Sequence, residues 1–153
     1  MFRKILYPTD FSKDAEKALE YVKKLKEAGT EEVVILHVID GESLEAMVTP
    51  CIWEGKDIEK CEEQIKRKMK REARKKLKDV GKEIDVNVKI IMRIGKPSAE
   101  IIEAAEKEKV SLIVMGAHGM GRMEELLLGS TAEKVTRHAK VPVLVVKYPW
   151  QKF

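Results

Sequence analysis

Gly116, Gly119, Gly121 and Gly129, followed at once by Ser130 and Thr131, are the residues of this sequence best suited to chemistry. Glycines let a backbone approach an anion with no Cβ in the way. Hydroxyls at a helix start add donors to the free first-turn amides, whose dipole end is positive. The chemistry so implied is the holding of phosphate rather than the breaking of a bond. Ala117, His118, Met120 and Arg122 lie in the same loop. Arg122 suits phosphate by its charge, and His118 either hydrogen-bonds a phosphate or faces water. His37, His118 and His138 have no serine or cysteine arranged beside them for nucleophilic attack. Asp10 is the single acid that the same site would contain, and one carboxylate is thin equipment for hydrolysis.

The loop fits neither common phosphate signature. A P-loop requires G-x-x-x-x-G-K-[ST], and no lysine separates Gly129 from Ser130. The dinucleotide fingerprint requires G-x-G-x-x-G, and Glu124 occupies its third glycine position. The spacing is instead G-x2-G-x9-G-[ST], on Gly116, Gly119, Gly129 and Ser130. In this the chain resembles the nucleotide-binding branch of the universal stress protein family, whose ATP-loop motif is complete here. The turn Gly95-Lys96-Pro97-Ser98 and the stretch AEIIEAAEKEKVSLIVMG after it are also similar to that family, apart from Ser111, where the family usually has Asp.

The elements around the loop must place it. Leu112 to Met115 is an apolar run without polar alternation, which predicts a strand buried on both faces. Arg3 to Tyr7 predicts a first strand, and Ser12 a cap for a helix with Ala15, Ala18, Leu19, Val22 and Leu25 on one face, closed by Gly29. Val33 to Ile39 reads as a second buried strand, so the opening is a parallel βαβ unit. Asp40 to Lys56 shows no clear period and carries Gly41, Pro50 and Gly55, which predicts a long loop. Its Ile52 and Trp53 either cover something apolar or tuck onto the protein's own surface. Asp57 to Val80 predicts a long helix with a basic second half. That face suits nucleic acid only weakly, because no aromatic or recognition motif accompanies the charge, and a solvated helix face is the favoured reading. Ile84 to Ile94 predicts an edge strand with one wetter face, followed by a helix from Pro97 through Glu108. Thr131 to Ala139 predicts the last helix, and Val141 to Lys147 the last strand.

Five strands alternating with four helices predict one doubly wound α/β domain over residues 1–153. The resemblance implies the parallel order 3-2-1-4-5, as in adenine-nucleotide α-hydrolase-like folds, with a switch point between the first and fourth strands. Ligands bind at the carboxyl ends of strands beside such a point. Asp10 and Gly116 both stand there, with Met115 leading into the loop. The resemblance further implies ATP as ligand, with Mg2+ held mainly through its phosphates. The main chain of Val38 would pair with the adenine edge, and Pro8 and Thr9 would add backbone contacts. Asp10 would accept from ribose or the adenine amine, cap the next helix, or do both. It implies a homodimer through the last strand, Val141 to Val146, with Tyr148-Pro149-Trp150 adding to the interface. Hydrolysis is expected to be slow or partner-dependent. A PP-loop ligase of the same superfamily needs a Ser/Gly-rich loop after the first strand, which Pro8-Thr9-Asp10-Phe11-Ser12 is not. An interaction module without nucleotide would not need the glycine spacing.

Composition narrows the class. A chain that is 44% hydrophobic and 37% charged has the makings of a core and is not disordered. It has no apolar run of membrane-spanning length and no signal peptide, so a cytoplasmic protein is expected. Abundant Lys and Glu, against one Asn and two Gln, fit a thermophile. Cys51 and Cys61 are too few for a zinc site without histidines. Two ordinary thiols are the favoured reading, and a disulfide the alternative if the source is a hyperthermophile.

Overall fold

The computed structural model describes residues 1–119 and 128–147. Its elements follow the chain as β1 (Lys4–Pro8), α1 (Lys13–Lys24), β2 (Glu32–Asp40), α2 (Gly41–Trp53), α3 (Ile58–Lys82), β3 (Asn87–Gly95), α4 (Pro97–Lys107), β4 (Leu112–Gly116), α5 (Ser130–His138) and β5 (Val143–Val146). The strands form one parallel sheet in the order β3-β2-β1-β4-β5. This is the topology expected from the resemblance. Outer strand β3 alternates in burial along its first residues, as an edge strand does.

Period-two alternation in β1 divides the core between the two faces of the sheet. Ile5 and Tyr7 pack with Ala18, Leu19 and Val22 of α1 and Leu77 of α3. Leu6 points the other way, into Ile101, Ala104 and Ala105 of α4 and Ala132 and Val135 of α5. Ser12 caps α1 as expected, its hydroxyl accepting from the Ala15 amide at 3.2 Å. The buried Tyr7 hydroxyl donates to the Ala15 carbonyl at 2.5 Å. Burial pushes its pKa up to about 12, against an opposing hydrogen bond from Thr9, so the phenol stays protonated. Gly29 ends the 3-10 turn after α1 at φ 97°, a left-handed conformation that side chains resist.

Residues 41–53 form helix α2, not loop. Asp40 caps it by accepting from the Glu42 amide. Leu44, Val48 and Cys51 bury one helical stripe, and Pro50 is accommodated inside the helix. There are accordingly five α-helices among the described residues, not four. The favoured reading of two separate thiols also fails, because Cys51 and Cys61 are joined by a disulfide, with Cα atoms 6.6 Å apart. The antiparallel return from α2 into α3 brings them together. Ile52 and Trp53 do not tuck onto the surface: they are 55% and 85% exposed. The expected strand starts at Ile84 and Val141 move to Asn87 and Val143. Tyr148-Pro149-Trp150 lie outside the described residues. No described helix is long and apolar enough to cross a membrane.

Candidate functional site

The carboxyl ends of β1 and β4 diverge at the switch point, and the segments leaving them are tightly built. After β1, the Thr9 amide donates to the Leu36 carbonyl at 2.8 Å. His37 Nδ1 donates to the Thr9 carbonyl at 2.9 Å. The His37 ring lies 4.8 Å from that of Phe11, and Lys76 Nζ sits 5.1 Å above the Phe11 ring. Phe11 is held at φ 65°, an uncommon conformation for an aromatic residue, by this stack and by the hydrogen bond that its amide donates to Thr9 Oγ1. His37 therefore acts in packing and orientation. Asp10 Oδ1 accepts from the Ser12 amide at 3.0 Å, so one carboxylate oxygen shapes the entry to α1.

After β4, the chain is pinned to its neighbours. The Ala117 amide donates to Val146, and the Gly129 amide to Ala117, both at 2.8 Å. Each motif glycine has a different neighbour. A Cβ on Gly116 would lie 2.7 Å from the Asp14 carbonyl carbon and 2.9 Å from the Ala15 nitrogen. One on Gly129 would lie 2.8 Å from the Ala117 oxygen, and one on Gly119 2.6 Å from Asp10 Oδ2. Gly116 and Gly129 thus also meet a demand of backbone packing, beside the cavity that they border. Gly119 lets the second oxygen of Asp10 come close to the loop.

Of the two readings that its sequence allows, His118 is not turned to water; it borders the cavity with Nδ1 engaged by Asp14. Its side chain is buried, and both its amide and its Nδ1 lie 2.9 Å from Asp14 Oδ2. Asp14, 1% exposed, is the main residue that sequence reasoning missed. It sits with Ala18 and Val22 at helical spacing on the buried face of α1. A carboxylate on an apolar stripe signals a buried partner.

One cavity of about 540 Å³ opens among these segments, a size typical of small-molecule sites. It is lined by Pro8, Thr9, Asp10, Val38, Met115, Gly116, His118, Gly119, Gly129, Ser130 and Thr131. Every described residue chosen from the sequence therefore borders one space. Gly121 and Arg122 lie outside the described residues. The cavity also takes in Ser12, Asp40, Ser43, Pro97 and Ile101, which were not chosen. Asp40 and Ser43 belong to the start of α2, which its Gly and Pro residues mask in the sequence, and Pro97 reads there as a helix start.

The first turn of α5 borders this space without a side-chain cap at Gly129. Its amides are the donors that an oxyanion would satisfy. Among the described residues there is no cluster of three His, Cys, Asp or Glu side chains that could hold a metal.

The sequence profile of the universal stress protein family matches residues 1–147. The chain belongs to the universal stress protein family. It is 41% identical to universal stress protein MJ0577 of Methanocaldococcus jannaschii, over 96% of each chain. The solved structure of MJ0577 superimposes with a TM-score of 0.86, covering 99% of both chains. Universal stress protein MJ0531 of the same organism is 35% identical over 97% of this chain and 84% of its own length. A solved structure described as hypothetical protein PH0823 is 37% identical, with a TM-score of 0.74 over 99% of this chain. These likenesses extend from the first strand of this universal stress protein to the last.

Proposed function

We propose that this protein binds ATP in the cavity at the switch point and acts as a nucleotide-responsive regulatory homodimer. The observation that carries the reading is the convergence on one space of Asp10, Val38 and an α5 first turn without a side-chain cap. Adenine would lie against the main chain of Val38, at the carboxyl end of β2. Ribose would face Asp10, whose carboxylate stands over Gly119. The phosphates would run past Gly119 to Ser130 and Thr131. Gly121 and Arg122 complete this loop in sequence. Mg2+ would be held mainly by phosphate oxygens and water. With Asp14 on His118 Nδ1 and Asp10 turned to the α1 entry, hydrolysis is slow or needs a partner.

Two measurements test this. Protein purified without added nucleotide, then denatured, should release ATP to the supernatant. Titration with Mg-ATP should raise the melting temperature, with about 2.7 kcal/mol gained at 100 times the dissociation constant. No release and no thermal shift at millimolar Mg-ATP would refute ATP binding.

The homodimer reading rests on β5. The Pro142 and Val146 carbonyls accept from β4, so by alternation Val143 and Val145 direct their amides and carbonyls away from it. That edge is apolar, and Leu144 on it is 36% exposed. Edges of this kind pair unless blocked. Val145→Pro removes one outward amide and leaves the β4 ladder its donors. The wild type should elute as a dimer in light-scattering chromatography and the variant as a monomer. A variant dimer as tight as the wild type would place the interface elsewhere.

A further inference from the structure

Strand β2 runs on past the end of β1. The shorter strand stops at Pro8, opposite Leu36, and the Thr9 amide closes the pairing on the Leu36 carbonyl at 2.8 Å. β2 continues to Asp40, still paired on its other side with β3, where Val38 faces Arg93 and Asp40 faces Gly95. Along a parallel strand, alternate residues turn their backbone groups to alternate neighbours. Leu36 gives its carbonyl to the β1 side, so Val38 turns its amide and carbonyl to that side too. Among the described residues no loop backbone group bonds them there. A planar base can take the place that β1 vacates.

The same alternation puts the side chains of Leu36, Val38 and Asp40 on one face of the sheet. On that face Leu36 and Val38 pack in the cluster that includes Ile101 of α4 and Met115 of β4. These four apolar residues line the cavity, and Asp40 lines it beyond them. Asp40 stands about 6–7 Å along the strand from Val38, within side-chain reach of a base held there. Its Oδ1 accepts from the Glu42 amide at 3.0 Å and caps α2. No hydrogen bond to its Oδ2 is found among the described residues. An ionised carboxylate only accepts. It therefore suits an amine and opposes a carbonyl oxygen.

We propose that Asp40 accepts a hydrogen bond from the exocyclic amine of the bound base and so makes the site select adenine over 6-oxo purines. This rests on the ATP-binding reading and deepens it. One hydrogen of the amine goes to the Val38 carbonyl and the other to Asp40 Oδ2. A 6-oxo purine would set its own oxygen against both acceptors, which leaves polar groups in the cavity unsatisfied. The negative charge at this end also turns the phosphate chain away, toward Gly119 and the first turn of α5.

Calorimetric titration of Mg-ATP and Mg-ITP into the wild type and Asp40→Asn tests this. ITP carries an oxygen, with a proton on the adjacent ring nitrogen, where ATP carries the amine. The wild type should bind ATP about a hundredfold or more tightly than ITP. Asparagine caps a helix as well as aspartate does, and its Oδ1 can keep the Glu42 amide, which melting curves would verify. Its Nδ2 then replaces Oδ2 with a donor, which opposes the amine and suits the 6-oxo group. The ATP-to-ITP affinity ratio should therefore fall about tenfold or more in the variant. A ratio equal to the wild type's would overturn the assignment while leaving nucleotide binding intact. That includes equal weakening of both ligands, the result if Asp40 served the ribose. A wild type that binds neither nucleotide would overturn the ATP reading and this inference with it.

Discussion

Gly116→Ala should cost this protein about 2 kcal/mol or more of stability, a fall in Tm of roughly 4–8 °C for a chain of this size. The added methyl would sit 2.7 Å from the Asp14 carbonyl carbon, 2.8 Å from its Cβ and 2.9 Å from the Ala15 nitrogen. These atoms belong to the first turn of α1, which Ser12 caps and Tyr7 anchors through the Ala15 carbonyl. None is the free end of a flexible side chain, so relief requires moving a helix off the sheet. Gly119→Ala is the contrasting variant. Its methyl would meet Asp10 Oδ2 at 2.6 Å and otherwise little. A carboxylate can rotate, so stability should change by less than about 1 kcal/mol. The rotated Asp10 would no longer stand where ribose is proposed to lie, and ATP affinity should fall about tenfold. Thermal melts and titrations on the two variants separate the roles. Equal melting losses at both positions would show that the close approach at Gly116 is not what demands glycine there.

This contrast also shows what the sequence could and could not disclose. The glycine spacing pointed to the right part of the molecule, and the described members of that pattern border one cavity. The spacing could not show that Gly116 answers to α1 and Gly129 to the Ala117 carbonyl, because those contacts form only once the chain has folded back. The strands were legible because buried parallel strands are continuous apolar runs, as Leu112 to Met115 is. Helix α2 was not, because Gly41, Pro50 and Gly55 are breakers by local propensity. Burial of Leu44, Val48 and Cys51 against the neighbouring structure outweighs that propensity. With α2 hidden, Asp40 and Ser43 could not be placed at the cavity. The Cys51–Cys61 bridge was hidden for the same reason, since the pair is brought close by the turn between two helices.

Asp14→Ala should be the most damaging single truncation near the site, at about 3 kcal/mol or more. Asp14 Oδ2 accepts from both the amide and the Nδ1 of His118 at 2.9 Å, in a pair with side-chain exposures of 1% and 4%. Alanine removes the acceptor that two donors of a buried residue share. Asp14→Asn keeps one oxygen that can accept from both donors and should lose less, about half as much, because what goes is the charge that strengthens the two bonds. The consequence for binding follows from where His118 lies. It immediately precedes Gly119, and its carbonyl is 3.4 Å from Ser12 Oγ, so the pair fixes the first residues of the loop against α1. Loosening it should weaken ATP binding in proportion to the stability lost, even though Asp14 itself does not line the cavity. Denaturant melts of the alanine and asparagine variants, with ATP titrations on each, read both effects. A melting temperature for Asp14→Ala within a degree or so of the wild type's would mean that the buried pair contributes nothing to holding the loop, and that the loop's position is set by Gly116 and Gly129 alone.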